Sequence, residues 1–136
     1  MKPAKRPARS PCASCPYRRD VPSGLWDASE YLKLPAYDGE TWQQEPNLFM
    51  CHQRDGRVCA GWVGCHQHRG HAHELLALRM LGTGVPIEAH SYVSPVPLFA
   101  SGAEACAHGL RDIRNPSRKA RAMVARVTEK LKRSKP

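Results

Sequence analysis

Six cysteines stand in a chain of 136 residues, and two of them form the tight pair Pro11-Cys12-Ala13-Ser14-Cys15-Pro16. Two intervening residues let both thiolates face one ion or one cluster, while the amides between them can donate to sulfur. Redox dithiols share this spacing but place it between a strand and a helix. Here a basic, proline-containing arm precedes it and a turn-rich loop follows, which argues against a thioredoxin-like enzyme. The partner donors lie in residues 51–66, where Cys51, Cys59 and Cys65 stand with His52 and His66. A hairpin about Asp55-Gly56 would set Cys51 beside Cys59 and complete the four-thiolate set Cys12, Cys15, Cys51 and Cys59. Such a set suits tetrahedral zinc or an iron–sulfur cluster. The seven residues between Cys51 and Cys59 do not make the short knuckle zinc sites favour. A proline directly after a ligand, as at Cys15-Pro16, is familiar from ferredoxin-type loops. The expected cofactor is therefore an iron–sulfur cluster, with zinc the alternative. Cys65, His52 and His66 are substitute ligands, whereas Cys106, between Ala105 and Ala107, reads as a buried small hydrophobe.

The rest of the composition fits a small, loop-rich domain. Twelve prolines, ten glycines and a mean hydropathy of -0.55 point away from a large core and toward a fold that needs a staple. The basic N-terminus has no apolar run after it, so no export signal is read, and no stretch is apolar enough to span a membrane. That implies a reducing, cytoplasmic compartment, in which clustered cysteines hold metal more often than disulfides. The expected class is a small α+β, metal-stapled fold, with short helices and a short hairpin around the cysteine cluster.

Four segments follow along the chain. Residues 1–11 read as a disordered basic arm, 12–114 as the cysteine-rich domain, 115–133 as a basic amphipathic helix and 134–136 as a tail. Within the domain, Asp27 and Glu30 have capping-box spacing ahead of a short helix that Pro35 stops. Residues 47–51 and 57–60 read as the two short strands. A helix is expected over residues 73–81, ended by Gly82, and another opens at Ser101 and Glu104 and closes at Gly109. Asn115 and Pro116 start the last helix, where Ala120, Met123, Val124, Val127 and Leu131 recur at helical spacing.

The motifs PCxxCPYRxD, FxCHQxDGxxCAGWxxxH and SPVPLFxSGxEAxxHG resemble an uncharacterised family of small cysteine-rich proteins from actinobacteria and their bacteriophages. The likeness covers residues 11–116. It implies that Cys12, Cys15, Cys51 and Cys59 form the family's four-cysteine core, with Cys65 and Cys106 outside it, and it names no metal. Ala60-Gly61-Trp62-Val63-Gly64 and the basic C-terminal segment are also similar, more distantly, to the WhiB-like iron–sulfur regulators. That resemblance offers an analogy for coupling a cluster to DNA.

Charge supplies the remaining signal. Residues 1–19 carry six Lys/Arg and no acid, residues 111–136 carry ten against Asp112 and Glu129, and the middle carries five against ten acids. Basic ends around a net-acidic body are a footprint for DNA or RNA, and equally a solubility device or a dock for an acidic protein. On the last helix Arg118, Lys119, Arg121, Arg126, Lys130, Lys132 and Arg133 surround the apolar stripe and are the candidate phosphate contacts. The four histidines His66, His68, His71 and His73 suggest either a second metal site or an exposed turn. No serine–histidine–acid set, phosphate-binding glycine loop or paired-carboxylate signature assigns an enzyme activity. A non-enzymatic metal-binding regulator leads, ahead of a zinc-stapled interaction module and an accessory iron–sulfur enzyme.

Overall fold

The computed structural model describes residues 4–53, 56–81 and 84–134. Among them are five α-helices: α1 (Ala28–Leu32), α2 (Ala60–His66), α3 (Leu76–Leu81), α4 (Gly102–Arg111) and α5 (Arg118–Ser134). Single 3-10 turns lie at Leu34–Tyr37, Thr41–Gln43, His71–His73 and Ile87–His90.

The expected α+β architecture is overturned. Among the described residues there is no sheet and no hairpin, only the isolated bridges Lys5↔Arg57, Arg18↔Leu98 and Met50↔Val58. The segment after Cys51 does return on itself, with Cys51 N–H donating to the Arg57 carbonyl and Cys59 N–H to that of Phe49. The pairing stops there because the chain turns helical at once. Cys59 is the extended N-cap of α2, and Ala60, which was expected in a strand, is its first residue. Arg54 and Asp55 lie outside the described residues, so the Asp55-Gly56 turn is described only at Gly56, whose φ of 75° suits a residue without a side chain. The notion of a fold stapled by metal for want of a core also needs correcting. Trp62, Tyr17, Tyr31, Leu34 and Leu75 are almost wholly enclosed, and Phe49, Val58 and Val63 pack with them.

Two helices organise that core. In α1, the Asp27 carboxylate accepts from Ser29 N–H as the expected cap, while Glu30 turns away to Lys33 and His52. Tyr31 of α1 accepts the backbone N–H groups of Leu25 and Trp26 on its hydroxyl. Its ring lies so close to α4 that a Cβ on Gly109 would sit 2.1 Å from Tyr31 Cδ1. Gly109 is therefore a contact surface within α4, not its end, and the helix runs on to Arg111. At the other end of α4, Ser101 Oγ accepts from Glu104 N–H, as its spacing indicated, and Asp38 accepts from Gly102 and Ala103 N–H at 2.6 and 2.7 Å. A carboxylate there satisfies donors the helix cannot and meets the positive end of its dipole.

Two further boundaries move. The helix expected over residues 73–81 begins only at Leu76, and Gly82 lies outside the described residues. Helix α5 begins at Arg118, and its first turn is capped by Ser117, whose Oγ accepts from Ala120 N–H. The expected disordered arm is tied down from its fourth residue. Lys5 N–H donates to the Gly56 carbonyl at 2.7 Å, Val58 N–H donates to that of Lys5, and Pro7 and Pro11 are buried.

Candidate thiol centre

The CxxC loop is a turn closed by Cys15 N–H on the Cys12 carbonyl. Three side chains hold it from outside. Trp26 Nε1 donates to the Ser14 carbonyl at 2.8 Å, and Arg18 Nη1 donates to the Pro11 carbonyl at 3.0 Å. Asp20 holds the Arg18 guanidinium in a two-bond pairing at 2.7 and 2.8 Å. That places a permanent cation beside the pair, and the charges of Cys15 and Cys12 help raise the Arg18 pKa, after the larger effect of Asp20.

The four cysteines named from the sequence are brought together in a chain of thiol contacts. Cys12 meets Cys15 and Cys51, and Cys15 meets Cys59. Hydrogen bonds from Cys15 and then Cys51 pull the Cys12 pKa far below the ordinary thiol value, against the opposing effect of burial. Cys15 is pushed up, first by its bonds with Cys12 and Cys59 and then by burial. Cys12, Cys15 and Cys59 are buried and Cys51 is half-buried at the rim. Among the described residues no group of three or more His, Cys, Asp or Glu side chains is arranged around a single metal position. The thiols touch in pairs. Thiols are donors of the kind soft metals take.

Helix α2 supplies the floor. A Cβ on Gly61 would lie 2.3 Å from Cys15 Sγ, so only glycine lets the helix backbone approach the sulfur this closely. Gly64, one turn on, does the same for Leu98, with a would-be Cβ at 2.7 Å from Cδ1. Trp62, between them, faces the aromatic core, edge-on to Tyr37 at 5.3 Å and stacked on Phe49 at 6.5 Å.

The substitute ligands are placed elsewhere. His52 pairs with Glu30 through Nε2 at 3.0 Å and lies against Trp26 and Phe49. His66 is sealed in the core between Tyr17 and Tyr37, with Nδ1 3.8 Å from Asp38 and no hydrogen-bond partner on Nε2. Burial drives its pKa down to about 4, Asp38 only partly opposing. Cys65 is buried, and its thiol is pushed up to about 12, chiefly by burial and then by the charge of Asp38. Cys106 is likewise buried on α4 and raised by burial. Of the histidine run, His66 is interior while His68 Nε2 is bonded to the Tyr92 carbonyl at 2.9 Å.

A hydrogen-bond relay that the sequence did not reveal links the thiols to α5. Ser14 Oγ stands 3.8 Å from Cys12 Sγ and accepts from Gln53 Nε2, while Lys130 Nζ donates to Gln53 Oε1 at 3.0 Å. With its lone pairs engaged by Gln53, the fully buried Ser14 hydroxyl can direct its own proton at the sulfur. Met123, Arg126 and Val127 of α5 line a groove of about 200 Å³ over the same loop, with Ala13, Ser14, Gln53 and Lys130.

The other basic residues of α5 are less uniform than a single cationic face. Arg121 is turned back onto the Pro116 carbonyl and the Asn115 side chain, and Arg133 pairs with Glu129 at 3.8 Å. Arg118, Lys119 and Lys132 are exposed. Residues 7–130 match the Family of unknown function (DUF6283). The chain belongs to this family. No curated protein and no solved structure matches it. All four thiols, the relay and most of α5 lie inside the stretch that defines this DUF6283 chain. No described helix is long and apolar enough to cross a membrane.

Proposed function

We propose that the chain is a cytoplasmic metal-binding regulator in which Cys12, Cys15, Cys51 and Cys59 hold an iron–sulfur centre and α5 presents cations to DNA or RNA. The observation that carries this reading is the thiol contact chain Cys51–Cys12–Cys15–Cys59, continued through Ser14 and Gln53 to Lys130. Two residues supply donors in the CxxC loop and two come from the returning segment before α2. Arg18 adds positive charge that favours thiolates, and buried Ser14 offers a hydrogen bond that would stabilise a sulfur ligand. A bound iron–sulfur group would supply electron exchange or a purely structural charge. Cys12, Cys15, Cys51 and Cys59 would hold it, and Ser14 and Gln53 would connect the thiols to the basic helix at Lys130.

Anaerobic purification with metal analysis tests the centre. The protein should be brown with broad visible absorption and carry iron and sulfide. Cys51→Ser, at the half-buried rim, should abolish both while the helical far-UV signal persists, and Cys106→Ala should leave them intact. A colourless protein with one stoichiometric zinc would replace iron–sulfur by a zinc module, and a metal-free protein would end the reading.

A salt titration tests the partner. Binding to duplex DNA or RNA should weaken linearly on a log–log plot, and Arg118→Glu with Lys119→Glu and Lys132→Glu should flatten the slope by roughly one unit per lost phosphate contact. No base-reading motif is present, so little sequence preference is expected. Absence of binding at low ionic strength would leave α5 as a dock for an acidic protein.

A further inference from the structure

On the N-terminal side a second cationic feature takes the form of a cleft. The pairing of Lys5 with Gly56 and Val58 lays residues 4–10 beside Arg57. Arg57 Nη1 then donates to the Arg6 carbonyl at 3.0 Å, which brings the Arg57 guanidinium next to the segment that carries Arg6 and Arg9. From the other side Tyr92 donates its hydroxyl proton to the Arg9 carbonyl at 3.0 Å. Between these ties lies a cleft of about 750 Å³, lined by Arg6, Arg9 and Arg57, by Tyr92 and Val93, and by Glu88. Its size falls within the roughly 300–1,000 Å³ common for small-molecule sites.

The chemistry of the lining is specific. Three arginines line one cleft that has a single carboxylate residue in its wall, and among the described residues none of the three is in an ion pair. Gathering like charges is unfavourable unless an anion joins them, and the planar guanidinium fork matches phosphate oxygens two at a time. Tyr92 adds a half-buried ring whose hydroxyl is anchored on Arg9, so the ring is held as part of the wall. The exposed Val93 side chain extends the apolar side, and Glu88 can accept from a hydroxyl or amino group. An array of phosphate binders beside an aromatic face and one acceptor fits a ligand with phosphates at one end and a base at the other.

We propose that the Arg6–Arg9–Arg57 cleft binds a nucleotide, its phosphates held by the arginines and its base against Tyr92. The nucleotide can be free or part of a single strand. The site is independent of the thiol centre and of the phosphate contacts assigned to α5.

Calorimetric titration of the full chain with ATP, inorganic tripolyphosphate and a short 5′-phosphorylated oligothymidylate tests this. ATP should bind saturably, and Arg9→Gln and Arg57→Gln should each weaken it about tenfold, the scale of one lost charged hydrogen-bond pair. The triple variant Arg118→Gln, Lys119→Gln, Lys132→Gln should leave ATP binding unchanged. Tyr92→Leu should weaken ATP and spare tripolyphosphate. Arg9 is exposed, so its substitution leaves the fold intact and keeps the test valid if Arg57→Gln perturbs the Arg6 tie. Binding of the oligothymidylate alone, with the same dependence on Arg9 and Arg57, would support the site with a strand as the source. Three results would overturn it: no saturable binding of any probe at low salt, binding indifferent to Arg9 and Arg57, or tripolyphosphate binding as tightly as ATP.

Discussion

Helices α4 and α5 adjoin in sequence and belong to different physical regimes. In α4, ten residues long, Gly102, Ala105, Cys106 and Gly109 are buried. Its backbone is pressed against the Leu34 carbonyl at one end and the Tyr31 ring at the other. In α5, seventeen residues long, Ala120 is the buried position, with Met123, Val127 and Leu131 half-covered and Val124 open to solvent. One helix is part of the core, and the other is a charged lever resting one edge on the cysteine loop. Changes in α4 should therefore act on the whole fold, whereas changes in α5 should act on what the helix touches.

The sharpest way to break this contrast is to enlarge one small side chain in each helix. Gly109→Ala places a carbon about where Tyr31 Cδ1 already is, so the ring or the helix must move. Overpacking of that kind costs about 3 kcal/mol, read as a fall in the urea midpoint at constant slope. Ala122→Val, on the exposed side of α5, should stay within about 0.5 kcal/mol. Combining Gly109→Ala with Tyr31→Leu should cost less than the sum of the two, because the smaller side chain vacates the contested space. Equal sensitivity of the two helices would remove the distinction.

The same glycines explain which parts of the fold could be read from sequence. Gly61, Gly64 and Gly109 look like turn markers because glycine costs about 1 kcal/mol in a helix interior. In the structure each lies inside a helix, and each is needed where another group approaches, at Cys15 Sγ, Leu98 and Tyr31. Helix α2 was therefore missed and α4 ended two residues early. Local chemistry was legible: the Asp27 and Ser101 caps depend on neighbours one to three residues away, and the α5 stripe on simple periodicity. The CxxC pair announced itself through spacing. Its partners on the returning segment followed, although the hairpin invoked to bring them together is a single bridge. The Ser14–Gln53–Lys130 relay and the arginine cleft join residues 39 to 83 positions apart with no pattern in any one segment. Long-range polar contacts leave no periodic trace.

A second prediction separates the sealed core from the wet helix by pH. His66 is enclosed and its pKa falls to about 4, from an ordinary 6.5, through burial. The unfolded chain binds a proton here before the folded one does. This stability is thus complete above about pH 6.5 and lost progressively as the pH drops toward 4. Between pH 7 and 4.5 the loss is about 2–3 kcal/mol. Urea titrations of the wild type and His66→Phe at both pH values isolate this contribution, since the remaining titratable groups are shared. The variant should lose correspondingly less stability on acidification. Parallel losses would mean that His66 takes up its proton in the folded protein without penalty.

The smallest effect concerns the seam where the two regimes meet. Lys130 reaches Gln53 at 3.0 Å, Gln53 reaches Ser14, and Ser14 stands 3.8 Å from the Cys12 sulfur. The outer bond is solvent-exposed, so its own worth is only a few tenths of a kcal/mol. The inner one involves a hydroxyl that water does not reach, where losing a partner costs about 1 kcal/mol or more. Gln53→Leu should therefore destabilise local docking of α5 by about 1 kcal/mol, and Lys130→Met by less. Amide hydrogen exchange reads this directly: protection should fall across residues 118–131 and around Ser14, while α4 exchanges as before. Because both substitutions interrupt one relay, the double variant should open α5 no more than Gln53→Leu alone. Strict additivity would mean that Lys130 and Gln53 act separately. The helix would then rest on the loop through Met123 and Val127, with no polar connection from its charge to the thiols.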